Sequence, residues 1–201
     1  MRPFVKHTGV AAPLIRDNID TDAIIPSRQM RRVSRLGLGK ALFAGWRYED
    51  EALTMPKSRF VLNETRYQLA SILLTGQNFG CGSSREHAVW ALDDFGIRAI
   101  VARSFGAIFE ANCFRNGLLP ITLGIADIKT LEDLALVHEV TVDLENNLIG
   151  AAAVQIPFSI PARQRKNLLE GTDAISETLG FKRDIDAARK QRDLLLPWAT
   201  N

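Results

Sequence analysis

Between Leu69 and Leu123, short β-rich apolar runs alternate with stretches whose apolar positions recur every three or four residues, the pattern of strands separated by amphipathic helices. The pattern predicts a strand over Leu69–Leu74 and a helix over about Arg85–Phe95, with Ala88, Leu92 and Phe95 on one face. A strand over Ile97–Ala102, a helix over Phe105–Asn116 stopped by Gly117, and a strand over Leu118–Leu123 follow. Such a strand, helix, strand, helix, strand series argues for an α/β domain with parallel pairing. Further along, Val140–Leu144 and Leu148–Ile156 flank Glu145-Asn146-Asn147, which suits a hairpin turn. The tail reads as helical. Pro161 precedes a helix over about Ala162–Glu170 ended by Gly171, and a charged helix runs from Asp184 until Pro197 stops it. No repeat or low-complexity linker intervenes, so the expectation is a single domain over residues 1–201 with a helical extension from about residue 161.

Composition narrows the function classes. The 201 residues, 46% of them hydrophobic, suffice for one sizeable core. The 25 basic and 23 acidic side chains nearly cancel, which removes any general case for nucleic acid or an anionic membrane surface. Met1–Val10 carries Arg2, Lys6 and His7 without a continuous apolar stretch, and nowhere do about 18 apolar residues run together, so neither export nor membrane insertion is expected. Two cysteines, Cys81 and Cys113, form neither a disulfide framework nor a CxxC metal motif, in keeping with a cytoplasmic enzyme. They are also too few for an iron-sulfur cluster, which takes about three or four thiolates.

The most informative run is Asn78-Phe79-Gly80-Cys81-Gly82-Ser83-Ser84-Arg85-Glu86-His87, where a predicted strand hands over to a helix. Ser83 and Glu86 have the spacing of a capping box, which accounts for those two residues alone. Gly80 and Gly82 let backbone approach a ligand, the following helix N-terminus attracts an anion, and Arg85 offers a planar fork to a carboxylate. Together they describe a carboxylate site with a hydroxyl aimed into it. A hydrolase elbow needs G-x-S-x-G, whereas Gly82-Ser83-Ser84-Arg85-Glu86 ends in glutamate. His7, His87 and His138 complete no catalytic triad by spacing, and His87 reads as a structural helix residue.

Asp17, Asp20 and Asp22 invite a calcium loop, but counting from Asn18 puts Ala23 at the glycine position and Gln29 at the bidentate glutamate position. A turn held by Asp and Asn side chains is the alternative to a functional role for these acids. From Ala23 to Tyr48 stand Arg28, Arg31, Arg32, Arg35, Lys40 and Arg47 with no acidic residue, a basic patch that suits polycarboxylates better than nucleic acid, since no aromatic interleaving accompanies it.

The run Asn78 to His87, with Arg98-Ala99-Ile100, Ser104-Phe105, Asn112 and Gly117-Leu118-Leu119-Pro120, resembles the swivelling domain of the aconitase superfamily. Asp17-Asn18-Ile19-Asp20-Thr21-Asp22-Ala23-Ile24-Ile25-Pro26 resembles the opening motif of the separate small subunits of isopropylmalate dehydratases, and similarity runs from about Val10 to Leu179. The resemblance implies a β/β/α swivelling fold with a helical C-terminal tail. It makes Ser83 the base that removes and returns a proton beside a carboxylate, and Ser84 and Arg85 substrate-binding residues. Asp22 matches the aspartate of the family's T-D-H motif, although Ala23 replaces the histidine. The implied reaction interconverts 2-isopropylmalate and 3-isopropylmalate by dehydration and rehydration in leucine biosynthesis. A related hydro-lyase of the methylmalate or homoaconitase type is the alternative within the family, and a non-catalytic carboxylate-binding module the alternative outside it. The 4Fe-4S cluster that the reaction implies is expected in a partner large subunit. In the basic loop, Gln29-Met30-Arg31-Arg32 stands where isopropylmalate relatives often carry an aromatic residue and leucine. Met30 would pack against an isopropyl group, and Arg31 lies where some relatives hold a distal carboxylate.

Overall fold

A strand that the hydrophobic pattern does not announce occupies the middle of the sheet. The computed structural model describes residues 1–30, 34–196 and 198. Strand β1 (Lys6–Leu14) reads Lys-His-Thr-Gly-Val-Ala-Ala-Pro-Leu, and its glycine, small alanines and proline hide it from a strand pattern. Gly9 is required by its neighbour, because a Cβ there would overlap the Ser71 hydroxyl.

The other strands are β2 (Ala70–Thr75), β3 (Ala99–Ala102), β4 (Leu119–Thr122), β5 (Val140–Asp143), β6 (Leu148–Ala151) and β7 (Val154–Pro157). They line up as β4-β3-β2-β1-β5-β6-β7. Pairing is parallel from β1 through β4 and antiparallel from β1 to β5 and onward. The helices are α1 (Thr21–Ile24), α2 (Ala44–Arg47), α3 (Glu86–Phe95), α4 (Ala107–Asn116), α5 (Ile125–Ala135), α6 (Ala162–Glu170), α7 (Ala174–Gly180) and α8 (Lys182–Leu195). The expected α/β class and the β2-α3-β3-α4-β4 series are therefore observed. Gly117 and Gly171 end α4 and α6 in left-handed geometry, as the sequence predicts.

Both faces of the parallel half are covered. Leu73 and Ile100 point into a core shared with α3, α4 and the segment from Ile19 to Tyr67, whereas Ile72, Leu74 and Val101 point into a core shared with α5 and Leu168 of α6. Strand alternation produces this division, and each fully buried Leu or Ile contributes about 1.5–3 kcal/mol. The continuous strand expected over Leu148–Ile156 is instead the hairpin β6–β7. Its turn holds Ala152 at φ 50°, a position without the glycine or asparagine that usually marks such a turn. Among the described residues no helix is long and apolar enough to cross a membrane.

Candidate functional site

The carboxyl ends of β1 and β2 open into the two loops that carry the candidate residues, the edge where parallel α/β sheets commonly bind ligands. Beyond β2 the chain passes through Asn78 (φ 57°), Gly80 (φ 73°) and Gly82 (φ 90°). Gly80 packs against the face of Phe109 from α4, where any Cβ would overlap the ring. Asn78 is held in its left-handed conformation from two sides: its N–H donates to Ser104 Oγ at 2.9 Å, and its Nδ2 donates to Asn18 Oδ1 at 2.9 Å.

The loop after β1 lies alongside. Gly80 N–H donates to the Ile19 carbonyl at 2.7 Å, and Thr21 N–H donates to the Cys81 carbonyl at 2.9 Å. Thr21, almost wholly buried, also donates its hydroxyl to the Ser83 carbonyl at 2.9 Å. Asp17 accepts the Gln77 N–H at 2.6 Å, tying the loop after β1 to the loop after β2, and Asp20 accepts the Ala23 N–H at 2.7 Å as the N-cap of α1, so two of the three clustered acids have structural roles. Asp22 Oδ1 pairs with Arg85 Nη1 across to the serine loop.

The capping box does not form. Pulled toward Thr21, the chain delays α3 until Arg85 is its N-cap, with no side-chain cap bond, and Glu86 Oε1 instead accepts from Asn116 Nδ2 at 2.9 Å. Ser83 and Ser84 remain exposed. Ser83, Thr21, Asn78, Cys81 and Arg85 line a cleft of about 300 Å³, closed on its far side by the first turn of α4. The first bond inside α4 runs from Glu110 N–H to Gly106 O, leaving the N–H groups of its first turn unused within the helix. A guanidinium and a helix N-terminus thus share one cleft with a serine hydroxyl, an arrangement that favours a carboxylate.

The two cysteines do other work. Burial and the Asp20 carboxylate push the Cys81 thiol up, and full burial pushes Cys113 well up, so both stay protonated at neutral pH. Among the described residues no three His, Cys, Asp or Glu side chains gather as a metal-holding group, and the thiols of this chain do not fit an iron-sulfur cluster.

Residues 1–125 match the model of the aconitase C-terminal domain. The chain belongs to the aconitase C-terminal-domain family. It is 55% identical over 203 residues to a 3-isopropylmalate dehydratase small subunit of Cupriavidus necator, covering 98% of each chain. It superposes with TM-score 0.66 on a 3-isopropylmalate dehydratase of Methanocaldococcus jannaschii at 28% identity, covering 92% of this chain and 99% of that one.

Within this aconitase-family frame the basic loop is partly spent on structure. Half-buried Arg47 donates to Asn63 Oδ1 at 2.9 Å and to the Gly39 carbonyl at 3.1 Å, and it stacks on Phe95. Arg35 lies over the Trp90 ring, and Arg28 faces Glu51. Met30 is half-buried against the core and is not among the residues that line the cleft. Arg31 and Arg32 lie outside the described residues. His87 packs its ring on Trp90, a helix-face contact as expected. Thr21 and the first turn of α4 are the site features that sequence reading missed. Thr21 stands inside the acidic motif, but its partner is 62 positions away and no spacing announces it.

Proposed function

We propose that this chain is the small subunit of a 3-isopropylmalate dehydratase, a hydro-lyase of leucine biosynthesis, with residues 1–201 acting as one swivelling domain in the cytoplasm beside a large cluster-bearing subunit. The observation that carries this reading is the full-length likeness to a named small subunit, 55% identity over 98% of both chains. The cleft supplies a matching division of labour. Ser83, as alkoxide, takes the proton from the carbon beside a substrate carboxylate, so that a C–H bond breaks and the serine O–H forms. Hydroxide leaves the neighbouring carbon, and the steps reverse with the positions exchanged. An aliphatic hydroxyl is ionised at neutral pH only with strong help, and Arg85 with the α4 terminus contributes positive potential on this side of the cleft. Arg85 and Ser84 hold the common carboxylate, and Asp22 keeps the Arg85 guanidinium in place. The partner's 4Fe-4S cluster supplies the Lewis acid that loosens the hydroxyl.

The test is anaerobic co-purification with the candidate large subunit, followed by assay on isopropylmalates. The wild-type pair is expected to turn over, each chain alone to be inactive, and Ser83→Ala to abolish turnover while leaving association intact. Stoichiometric iron with dehydratase activity in this chain alone would overturn the reading.

A further inference from the structure

Ile108, in the first turn of α4, lines the catalytic cleft and is more than half exposed. One turn on, exposed Ala111 joins Phe114 and Ile175 in a second cleft, of about 520 Å³, between α4, α6 and α7. Leu179, one turn after Ile175 on α7, and Phe181 continue the apolar exposure, and α8 beyond them buries none of its side chains. Exposed apolar side chains thus recur in a strip from the cleft mouth along α4 to α7, with Arg115, Arg163, Gln164, Asn167 and Asp173 lining the second cleft beside them, the mixture of apolar and polar groups found where proteins associate.

We infer that this strip, the outer face of α4 continued by α7, is the surface on which the large cluster-bearing subunit docks; the inference rests on the two-subunit reading above. A cluster acting on substrate held by Ser83 and Arg85 has to reach the cleft mouth, so its subunit covers Ile108. A stable interface takes about 800 Å² from each partner, a disc of roughly 16 Å radius. The ten residues of α4 span about 15 Å. A disc of that size placed over the cleft therefore extends along α4 to Ala111 and Phe114, which share the second cleft with Ile175, and there the apolar side chains suit a buried centre and Arg115, Arg163 and Asp173 a polar rim. A second copy of this chain on the same strip would close the cleft instead of completing it.

The test measures the dissociation constant of the purified large subunit for three variants of the full chain: Ala111→Glu and Ile175→Glu on the strip, and Val137→Glu, at an equally exposed apolar residue after α5. All three positions are exposed, so thermal melting is expected to be unchanged. Both strip variants should bind at least 10-fold more weakly while Val137→Glu binds as wild type, and at saturating large subunit the strip variants should regain wild-type kcat within about 2-fold. Unchanged affinity in both strip variants, or equal weakening by Val137→Glu, would overturn the docking surface. So would a sedimentation shift from dimer to monomer in the strip variants with unchanged affinity for the large subunit, which would assign the strip to a second copy. A wild-type pair that associates but turns over no hydroxy acid would defeat the functional reading alone.

Discussion

The hydroxyl of Thr21 donates to the carbonyl oxygen of Ser83 at 2.9 Å, tying the loop after β1 to the serine proposed as the base. Replacing Thr21 by valine keeps the buried volume and removes the bond. With the large subunit present, kcat is expected to fall about 10- to 100-fold, the scale of a small misplacement of a reacting group, with KM within about 2-fold. Thr21→Ser should restore most of the rate. An equal loss in the serine variant would mean that the threonine methyl, not the hydrogen bond, matters.

Arg85 pairs with an Asp22 whose side chain is 58% exposed, so the pair adds little to stability, about 1 kcal/mol or less. Its larger expected effect is on substrate. Arg85→Gln should raise KM about 10- to 100-fold, the value of a charge-assisted hydrogen bond to carboxylate. Arg85→Lys should recover only part of this, because an ammonium lacks the planar fork. Asp22→Asn should raise KM less, and steady-state kinetics on the three variants checks the order.

Gly80→Ala meets two penalties at once. A left-handed φ costs a residue with a Cβ about 1–2 kcal/mol, and overlap with the Phe109 ring adds about 1–3 kcal/mol. Denaturant unfolding should report a loss of about 2–5 kcal/mol. A loss below 1 kcal/mol would show that the loop relaxes away from α4.

His7 shares a 2.7 Å hydrogen bond with Ser71 on β2, and burial, then the nearby Arg98 and Arg2, hold its imidazole below the ordinary 6.5. The unfolded chain therefore binds this proton more readily than the folded one. The neutral imidazole is compatible with full stability above about pH 6.5, and stability is lost as the pH falls from there through the lowered folded value. Melting at pH 7.5 and pH 5.5 should show a drop for wild type that is smaller for His7→Gln. Equal drops would remove His7 as the cause.

Arg31 is the residue proposed from the sequence for substrate choice. If isopropylmalate is the substrate, Arg31→Leu should leave its preference over homocitrate or methylmalates unchanged or sharper, because an unpaired guanidinium gains nothing from an apolar isopropyl group. A wild type preferring a distal carboxylate, with that preference lost in the variant, would replace the assignment with the homoaconitase-like one. Competition assays across these hydroxy acids decide it.

What could be read before the structure follows from how locally each feature is encoded. The strands β2 to β4 and helices α3 and α4 were legible because apolar period and glycine stops lie within each segment. Strand β1 was not, since Gly9 and Pro13 are tolerated there by neighbours on β2 and not by any local preference. Helix α5 is absent from the sequence-based expectation although Ile128, Leu131 and Ala135 form a buried face, because Gly124 before it offers no side-chain cap to mark its start. At the site, Ser83, Arg85 and Asp22 stood in recognisable motifs, and the structure brings Ser83 and Arg85 to one cleft with Asp22 paired to Arg85. The capping box misled because Ser83 and Glu86 have the right spacing, while the Thr21 bond that draws Ser83 aside is non-local.

The position of β1 also sets the order in which the molecule can assemble. Its register on one side joins Leu14 to Thr75, and on the other joins Lys6 to Asp143, so the earliest strand of the sheet pairs across more than a hundred intervening residues. Such high contact order makes folding slow, since loop-closure entropy is spent before the contacts repay it. During synthesis β1 waits with one edge open until Val140–Asp143 leaves the ribosome, and chains truncated before that point carry an unpaired central strand. Aggregation of those truncated chains, and a need for folding assistance at high expression, are the expected cellular consequences of a sheet built outward from its first strand.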